Sequence, residues 1–537
     1  MRRKRLACLC LGAMMALSTA GCGKKAESPS PSASGDVQKE ETQKSGDKTG
    51  GKFTYWVEMN PSAATVVQNY GDIEYFKKLQ EITGTQIEFM HPPAGQTTEQ
   101  FKLLIASRKD LPDVVSINWL TEYPGGPEKA VKDGVIIDLN DYLDLMPNYK
   151  AFLESDPEIK KQSITDEGTL YGFHGINMEK VRTCACGLIA RQDWLDDLGL
   201  EVPETIDEWE NALRLFKEEK GATAPFTVQL KDFFKYNLFN AAYGITNEFY
   251  LDESGQVQYG PIQPEYKEYL TTMNRWYQEG LIDPDFASID KKIISSNMLN
   301  DKSGVAFGFV GSGMGTWLNA ATQENYALVG CPNPVLHKGD EGMFSPEYKG
   351  KVLITAAITT NAKDIESIIK TFDYLYTEEG RLLKNFGIEG MTYNMVDGKP
   401  VYSDLITHNP DGLAISDAMA KYIQPNYPGA GQANLPEYID QYYAEESQKE
   451  ANVTFNKFSE ASAKYSMPPV TATADESKEL GNIMSQISTY RDEKVVAFIT
   501  GADSLDHFDD FVAEIKNLGI ERAIEIKTAS LERYQAR

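Results

Sequence analysis

The sequence predicts an α/β protein of two lobes, each a β-sheet flanked by helices, with a largely helical C-terminal part. Three observations carry this. Strand-like and helix-like segments alternate as β-α-β-α-β over residues 53–119, the order that builds a parallel sheet covered by helices. A second alternating series begins after Tyr171-Gly172-Phe173. The span 52–537 also exceeds the ~250–300 residues at which a single hydrophobic core stops growing.

In order, residues 53–59 read as a strand, 73–84 as an amphipathic helix and 87–90 as a second strand. Residues 99–107 are helical, and 113–119 form a third strand with a continuous apolar stretch. Ligands gather at the carboxyl ends of such strands, here 56–60 and 116–119. In the second series, 187–191 is a strand feeding a helix over 193–198. Thr205-Ile206-Asp207-Glu208 is a capping box, followed by Trp209, Leu213 and Phe216 on one helix face. Residues 267–279 form a helix ended by Gly280, and 304–310 a strand running into Gly311-Ser312-Gly313-Met314-Gly315 and a helix. Residues 352–360 are strand-like and precede a helix over 364–376. Residues 504–518 and 520–534 are amphipathic helices, and there is no internal repeat.

Ahead of this body stands a different kind of sequence. Residues 1–5 carry four positive charges, and 6–17 are almost unbroken apolar. Ser18-Thr19-Ala20-Gly21 and then Cys22 follow. That is the layout of a secretory signal, and a cysteine after Ala-Gly marks a bacterial lipoprotein signal. Residues 1–21 would be removed and Cys22 lipidated; ordinary secretion with an incidental cysteine is the alternative. The apolar run is shorter than the ~20 residues that span a bilayer. Residues 22–51 hold no aromatic residue and one valine, too little apolar surface to fold. As a coil this tether reaches roughly 30 Å.

The formal charge of −26 argues against nucleic acid, whose phosphates need a basic face. Beyond the signal and Cys22, the cysteines are Cys184, Cys186 and Cys331. Their C-x-C spacing completes no zinc site and no disulfide framework, so buried thiols are expected. The five histidines show no metal-ligand spacing, and no catalytic constellation stands out. The glycine string 311–315 lacks the last glycine of G-x-G-x-x-G and any Walker lysine, and reads as a close-approach turn lining a cleft. Trp194, Trp209 and Trp276 lie on apolar helix faces and belong to the core. Trp56, Trp119 and Trp317 stand at strand ends or beyond a glycine turn, where an aromatic face could stack on a sugar ring. Phe233-Phe234-Lys235-Tyr236 adds candidates.

Several segments carry a resemblance: PPAGQTTEQFKLLIASRKDLPDVV, GLIARQDWLDDLGLEVPETIDEW, YGPIQPEYKEYLTTMNRWYQEGLIDPDF, GVAFGFVGSGMGTWL, ITTNAKDIESIIKTFDYLYTEEGRLLKNFGIEGMTYNM and ITGADSLDHFDDFVAEIKNLGIERAIEIKTASLERY. Through them the chain resembles the family 1 extracellular solute-binding proteins, in their large Gram-positive lipoprotein branch. The resemblance implies a type II periplasmic-binding-protein-like fold closing on ligand like a hinged clamp. Lobe one would hold 52–173 and 351–399, lobe two 174–350 and 400–537. It implies ligand contacts at Trp56, Glu58, Asn60, Asn118 and Trp119 in lobe one. Tyr236 and Trp317 match sugar-stacking positions of the other lobe, Tyr393 borders the cleft, and Ser312 joins the polar groups. Arg191 is typical of the branch and equally suits a hinge role. Relatives often carry a calcium loop where this chain has 217–225, which lacks alternating oxygen ligands; no calcium, other metal or cofactor is expected.

The implied function is that of a monomeric, lipid-anchored receptor on the extracellular face of the membrane. It would deliver a carbohydrate, an oligosaccharide in particular, to the permease of an ABC importer. A peptide or metabolite receptor of the same fold and a polysaccharide-degrading surface enzyme are the alternatives, because fold does not fix ligand.

Overall fold

A computed structural model of the chain describes residues 50–179, 182–347, 350–423 and 429–537. The signal, Cys22 and the tether up to residue 49 lie outside the described residues. In chain order the strands are β1 (Lys52–Val57), β2 (Gln86–Met90), β3 (Val114–Ile117), β4 (Phe173–Asn177), β5 (Cys186–Arg191), β6 (Phe226–Thr227) and β7 (Phe249–Leu251). They continue with β8 (Val257–Tyr259), β9 (Val305–Phe309), β10 (Leu328–Cys331), β11 (Val352–Ile358), β12 (Tyr393–Val396), β13 (Lys399–Tyr402) and β14 (Gly431–Ala433).

Six strands form one sheet in the order β14-β4-β11-β3-β1-β2, and four form another in the order β10-β5-β9-β6. β7–β8 and β12–β13 are separate hairpins. The β-α-β-α-β segment delivers the parallel strands expected of it, since β1 pairs in parallel with both β2 and β3. β11 departs from the parallel expectation and runs antiparallel to β3 and β4. Its direction follows from its route. β4 ends at Asn177, from which the chain passes to the second sheet, and β11 enters from that same side. The first sheet stays mostly parallel, β14 pairing in parallel with β4, whereas the second is mostly antiparallel, with only β6–β9 parallel.

Both faces of the first sheet are covered, so alternate residues of each strand enter different cores. Phe53, Tyr55 and Val57 of β1 join Val114, Phe173, Ile176, Ala356 and Ile358 on one face. Trp56 points the other way and joins Val115, Ile117, Trp119 and Ala357. In the second lobe the capping box forms as its sequence demands. Thr205 Oγ1 accepts from the Glu208 amide at 3.2 Å, and Glu208 Oε2 accepts from the Thr205 amide at 3.1 Å. The helix it starts, Ile206–Glu218, buries Trp209, Leu213 and Phe216. Trp209 and Trp276 then pack edge-on against Phe239.

The expected crossings near Phe173 and Lys399 shift. β4 and β14 both belong to the first sheet, so the chain leaves that sheet after Asn177 and again after Ala433. Three joining segments result: from Asn177 to Cys186, from Cys331 to Val352, and from Ala433 into the helix Glu446–Phe455, which packs on β10.

Candidate ligand-binding site

A cavity of about 640 Å³ lies where these joining segments meet the two sheets. One wall comes from the first lobe: Asn60 and Ser62 after β1, and Ser416, Asp417 and Met419 of the helix Ile415–Tyr422. The opposite wall is Lys291, Phe309, Gly311, Ser312 and Thr316. Between them lie Asn177, Arg182, Thr183 and Ala185 of the first joining segment, and Asn434, Tyr438, Ile439, Tyr442 and Tyr443 of the last.

Local chemistry fixes this lining. Asn60 caps the helix Pro61–Val66 by accepting from the Ser62 amide at 2.9 Å, and its own amide donates to the Tyr70 hydroxyl at 2.7 Å. Arg182 donates from Nη2 to Glu179 at 2.9 Å and from Nη1 to Asp440 at 2.7 Å, tying two joining segments together. Burial pulls the Arg182 guanidinium down, but the two carboxylates outweigh it and hold its pKa above the ordinary value. Cys184 is fixed through its backbone: its amide donates to Asn456 Oδ1 at 2.9 Å, and its carbonyl accepts from Asn452 and Asn456. Asn434 sits at φ +54° directly after β14, a left-handed conformation that asparagine tolerates and that recurs at binding sites.

The glycine string explains itself at two positions. A Cβ on Gly311 would stand 2.2 Å from the Tyr442 hydroxyl, and one on Gly315 2.5 Å from Gln448 Nε2. Gln448 in turn donates to the Val310 carbonyl at 2.9 Å. The turn is glycine-rich because the last joining segment lies flat against it. It presents Ser312 and Thr316, both exposed, to the cavity.

Of the residues the sequence singles out, Asn60 and Ser312 line the cavity. Trp56, Trp119, Tyr236, Trp317 and Tyr393 are 6%, 1%, 3%, 3% and 5% exposed and absent from that lining, so the structure gives them no open ring face. Trp56 and Trp119 clasp Phe101 at 6.2 and 5.4 Å, and Trp119 Nε1 donates to the Val115 carbonyl. Tyr236 stacks on Phe307 at 4.4 Å. Trp317 lies over Gly308, with Nε1 donating to Ser295 Oγ at 3.0 Å. Tyr393 pairs with Tyr402 and packs on Phe386. Glu58 and Asn118 are exposed but outside the lining, and Asn118 spends its side chain capping the Leu120 amide at 3.1 Å. Arg191 is structural: it is 2% exposed, paired with Asp193 and Asp301 and sandwiched between Trp194 and Tyr326. The thiols of Cys184, Cys186 and Cys331 are buried, as expected.

Sequence reasoning missed Phe309, Asp417 and Tyr442, beside which Tyr438 and Tyr443 reach the lining as buried rings. Phe309 and Tyr442 keep part of their rings accessible. The signal for the tyrosines was the string Pro436-Glu437-Tyr438-Ile439-Asp440-Gln441-Tyr442-Tyr443, a proline-started helix dense in aromatics. Asp417 is the one carboxylate in the lining among the described residues, and burial raises its pKa. The set suits noncovalent capture of a polar ligand: hydroxyls and amides to exchange hydrogen bonds, and ring faces for C–H surfaces.

A cavity walled by two α/β sheets and bounded by the segments joining them defines a ligand-capturing protein of the two-lobed kind. The model of the bacterial extracellular solute-binding protein family matches residues 63–382, more than half of the chain, and the chain belongs to that family. It is similar to the lipoprotein LipO of Bacillus subtilis, 25% identical over 64% of this chain and 68% of that one. It is also similar to the fructooligosaccharide ABC transporter substrate-binding protein FusA of Streptococcus pneumoniae, 23% identical over 86% and 87%. Among solved structures, the alginate-binding protein AlgQ2 without calcium superposes with a TM-score of 0.73 at 23% identity, covering 90% of this chain and 98% of that one. These structural likenesses bear on the fold, a type II solute-binding fold.

Proposed function

We propose that this protein captures an oligosaccharide between its lobes and presents it to an ABC importer, held at the outer face of the membrane by lipid on Cys22. The observation that carries the reading is the cavity lining. Amide and hydroxyl side chains face it from both lobes, with Phe309 and Tyr442 as ring platforms. Its volume of about 640 Å³ lies within the ~300–1,000 Å³ of small-molecule sites and leaves room for more than one sugar ring. Relatives described as binding fructooligosaccharide and polygalacturonan/rhamnogalacturonan support a saccharide. Among the described residues the lining offers one carboxylate, Asp417, rather than the pair a glycosidase needs, which supports binding over turnover.

Ligand touching both walls stabilises the closed arrangement, which is the form a permease reads. The tether, reaching roughly 30 Å, keeps the receptor close to it. A thermal-shift screen of an oligosaccharide panel tests the reading, since a tight ligand raises the melting temperature by mass action. Stoichiometric calorimetric binding without product is the expected result. A response to peptides alone, or product release from polysaccharide, overturns it. Cys22→Ala is expected to leave binding intact and release the protein from the membrane fraction.

A further inference from the structure

Two C-terminal helices connect the lobes by a route separate from the joining segments at the cavity. The helix Ala474–Thr500 is 27 residues long, roughly 40 Å at 1.5 Å per residue. Its second half is built into the second-lobe core through Ile487, Val495, Phe498 and Ile499. Asn274 donates to the Phe498 carbonyl at 2.8 Å, and buried Arg491 donates to the Asn247 carbonyl at 2.7 Å. Leu480, Ile483 and Met484 pack partly buried against the same core, and only the stretch 474–479 ahead of them makes no contact with it. The helix Ile520–Ala536 runs alongside. It begins in the same apolar core with Ile520 and Ala523 and ends against the first lobe.

The first-lobe end is ionic. Arg533 Nε donates to Asp166 Oδ2 at 2.7 Å and its Nη2 to Glu476 Oε2 at 2.6 Å. Arg537 Nε donates to Asp166 Oδ1 at 2.9 Å, and its Nη1 to the Ile164 carbonyl at 2.7 Å. The Tyr534 hydroxyl donates to Glu158 at 2.6 Å. Glu158 lies in the first turn of the helix Pro157–Ser163 and Asp166 just beyond its end, and Ile159 of that helix belongs to the first-lobe core.

We infer that this helix pair is a brace with one fixed end and one releasable end, the cluster Glu158–Asp166–Glu476–Arg533–Arg537 being the latch of lobe opening. The inference rests on the proposed function in assuming that the lobes part to admit ligand. When they part, one end must yield. The apolar end would expose core surface at ~25 cal/mol per Å², whereas the mostly buried ion pairs around Asp166 regain hydration on separating, which offsets much of the lost Coulomb attraction. The ionic end therefore lets go. Gly481 stands just beyond the ionic stretch 474–479, at the start of the part that packs on the second lobe, and a Cβ there would meet no atom within 4 Å. No packing requires glycine at that position, although it costs ~1 kcal/mol against alanine in a helix interior. Its use is to let the ionic stretch bend away, since glycine is a recurrent site of helix bending.

The test uses the full chain with Arg533→Gln and Arg537→Gln together, read by small-angle scattering and by hydrogen exchange, neither of which needs a ligand. Expected are a larger radius of gyration and about tenfold faster exchange of amides 474–482, with 483–500 unchanged, the effect of losing roughly 1.4 kcal/mol of ion-pair network. Raising NaCl to ~1 M should move the wild type the same way, because screening then acts within ~3 Å. Gly481→Ala alone should slow exchange of 474–482. A folded double variant with unchanged scattering, or with both stretches of the helix exchanging faster together, overturns the latch. An oligosaccharide screen that finds no ligand while scattering responds as expected removes the proposed function and leaves the latch standing.

Discussion

The strand ends of the first sheet and the segments joining the two sheets are both rich in aromatic residues and both lie toward the cavity, yet they do opposite work. At the strand ends, Trp56 and Trp119 close around Phe101 and leave almost no surface open. In the joining segments, half-buried Tyr442 borders open space. The difference is one of partners on each side. A strand in a sheet covered on both faces has a core waiting for every side chain, whichever way it points. A joining segment has the cavity on one side by construction.

The largest way to break this comparison is Trp119→Ala. If the strand-end ring is core, its removal costs about 3–5 kcal/mol of stability, read as a large fall in the urea midpoint. If it is a ligand platform, affinity falls and the midpoint barely moves.

Acid separates the two regions next. His174 on β4 is fully buried. Its Nε2–H donates to the Ser163 carbonyl at 2.8 Å, and its Nδ1 accepts from the Thr355 hydroxyl at 2.6 Å. Burial lowers its pKa from 6.5 to about 4. The folded state thus keeps it neutral while the unfolded chain takes up a proton below pH 6.5. Its contribution is full above pH 6.5 and is lost as pH falls from there through about 4, a loss of about 3 kcal/mol at ~1.4 kcal/mol per pH unit. Urea unfolding at pH 7, 5.5 and 4.5 should show this slope, and His174→Gln should flatten it. In the cavity, burial raises the Asp417 pKa above the usual carboxylate value. Protonation there removes an acceptor, so ligand affinity should fall with pH in wild type and not in Asp417→Asn.

A smaller effect probes the joining segments directly. Tyr442→Ala removes a ring platform that contributes about 1–2 kcal/mol, roughly tenfold in affinity by calorimetry. Its effect on the melting temperature should be well below that of Trp119→Ala. Equal loss of stability in the two variants would erase the distinction between the regions.

The sheets were legible because each lobe is written in local periodicity. The alternation over residues 53–119, the capping box at Thr205 and the glycine stop at Gly280 all act within one or two turns of chain. The antiparallel entry of β11 was not legible, because it depends on where the chain has come from. Neither was the site. Asn177, Phe309, Asp417 and Tyr442 meet through sheet order across more than 260 residues of sequence. The tryptophans misled for a related reason: period-two alternation says which residues share a face, but not whether that face is covered. The long helix Ala474–Thr500 was missed although Leu480, Ile483, Met484 and Ile487 stand at helical spacing, because Gly481 interrupts that stripe and the turns before it bury nothing.

The finest contrast sets two residues the sequence grouped together, Asn118 and Ser312. Both are polar, exposed and placed just beyond a strand. Asn118 is occupied, accepting from the Leu120 amide as the cap of the helix Trp119–Glu122. Ser312 projects from the glycine turn into the cavity lining. Asn118→Ala should therefore cost about 1 kcal/mol of stability through the lost cap and leave affinity unchanged. Ser312→Ala should leave the melting temperature unchanged and weaken the ligand by about 0.5–1.5 kcal/mol, the net worth of one hydrogen bond. The pair is informative because the two substitutions are so alike in chemistry. If both variants lost affinity equally, the strand end would belong to the binding surface after all, and the boundary between structural and ligand-facing residues would have to move from the joining segments back to the sheet.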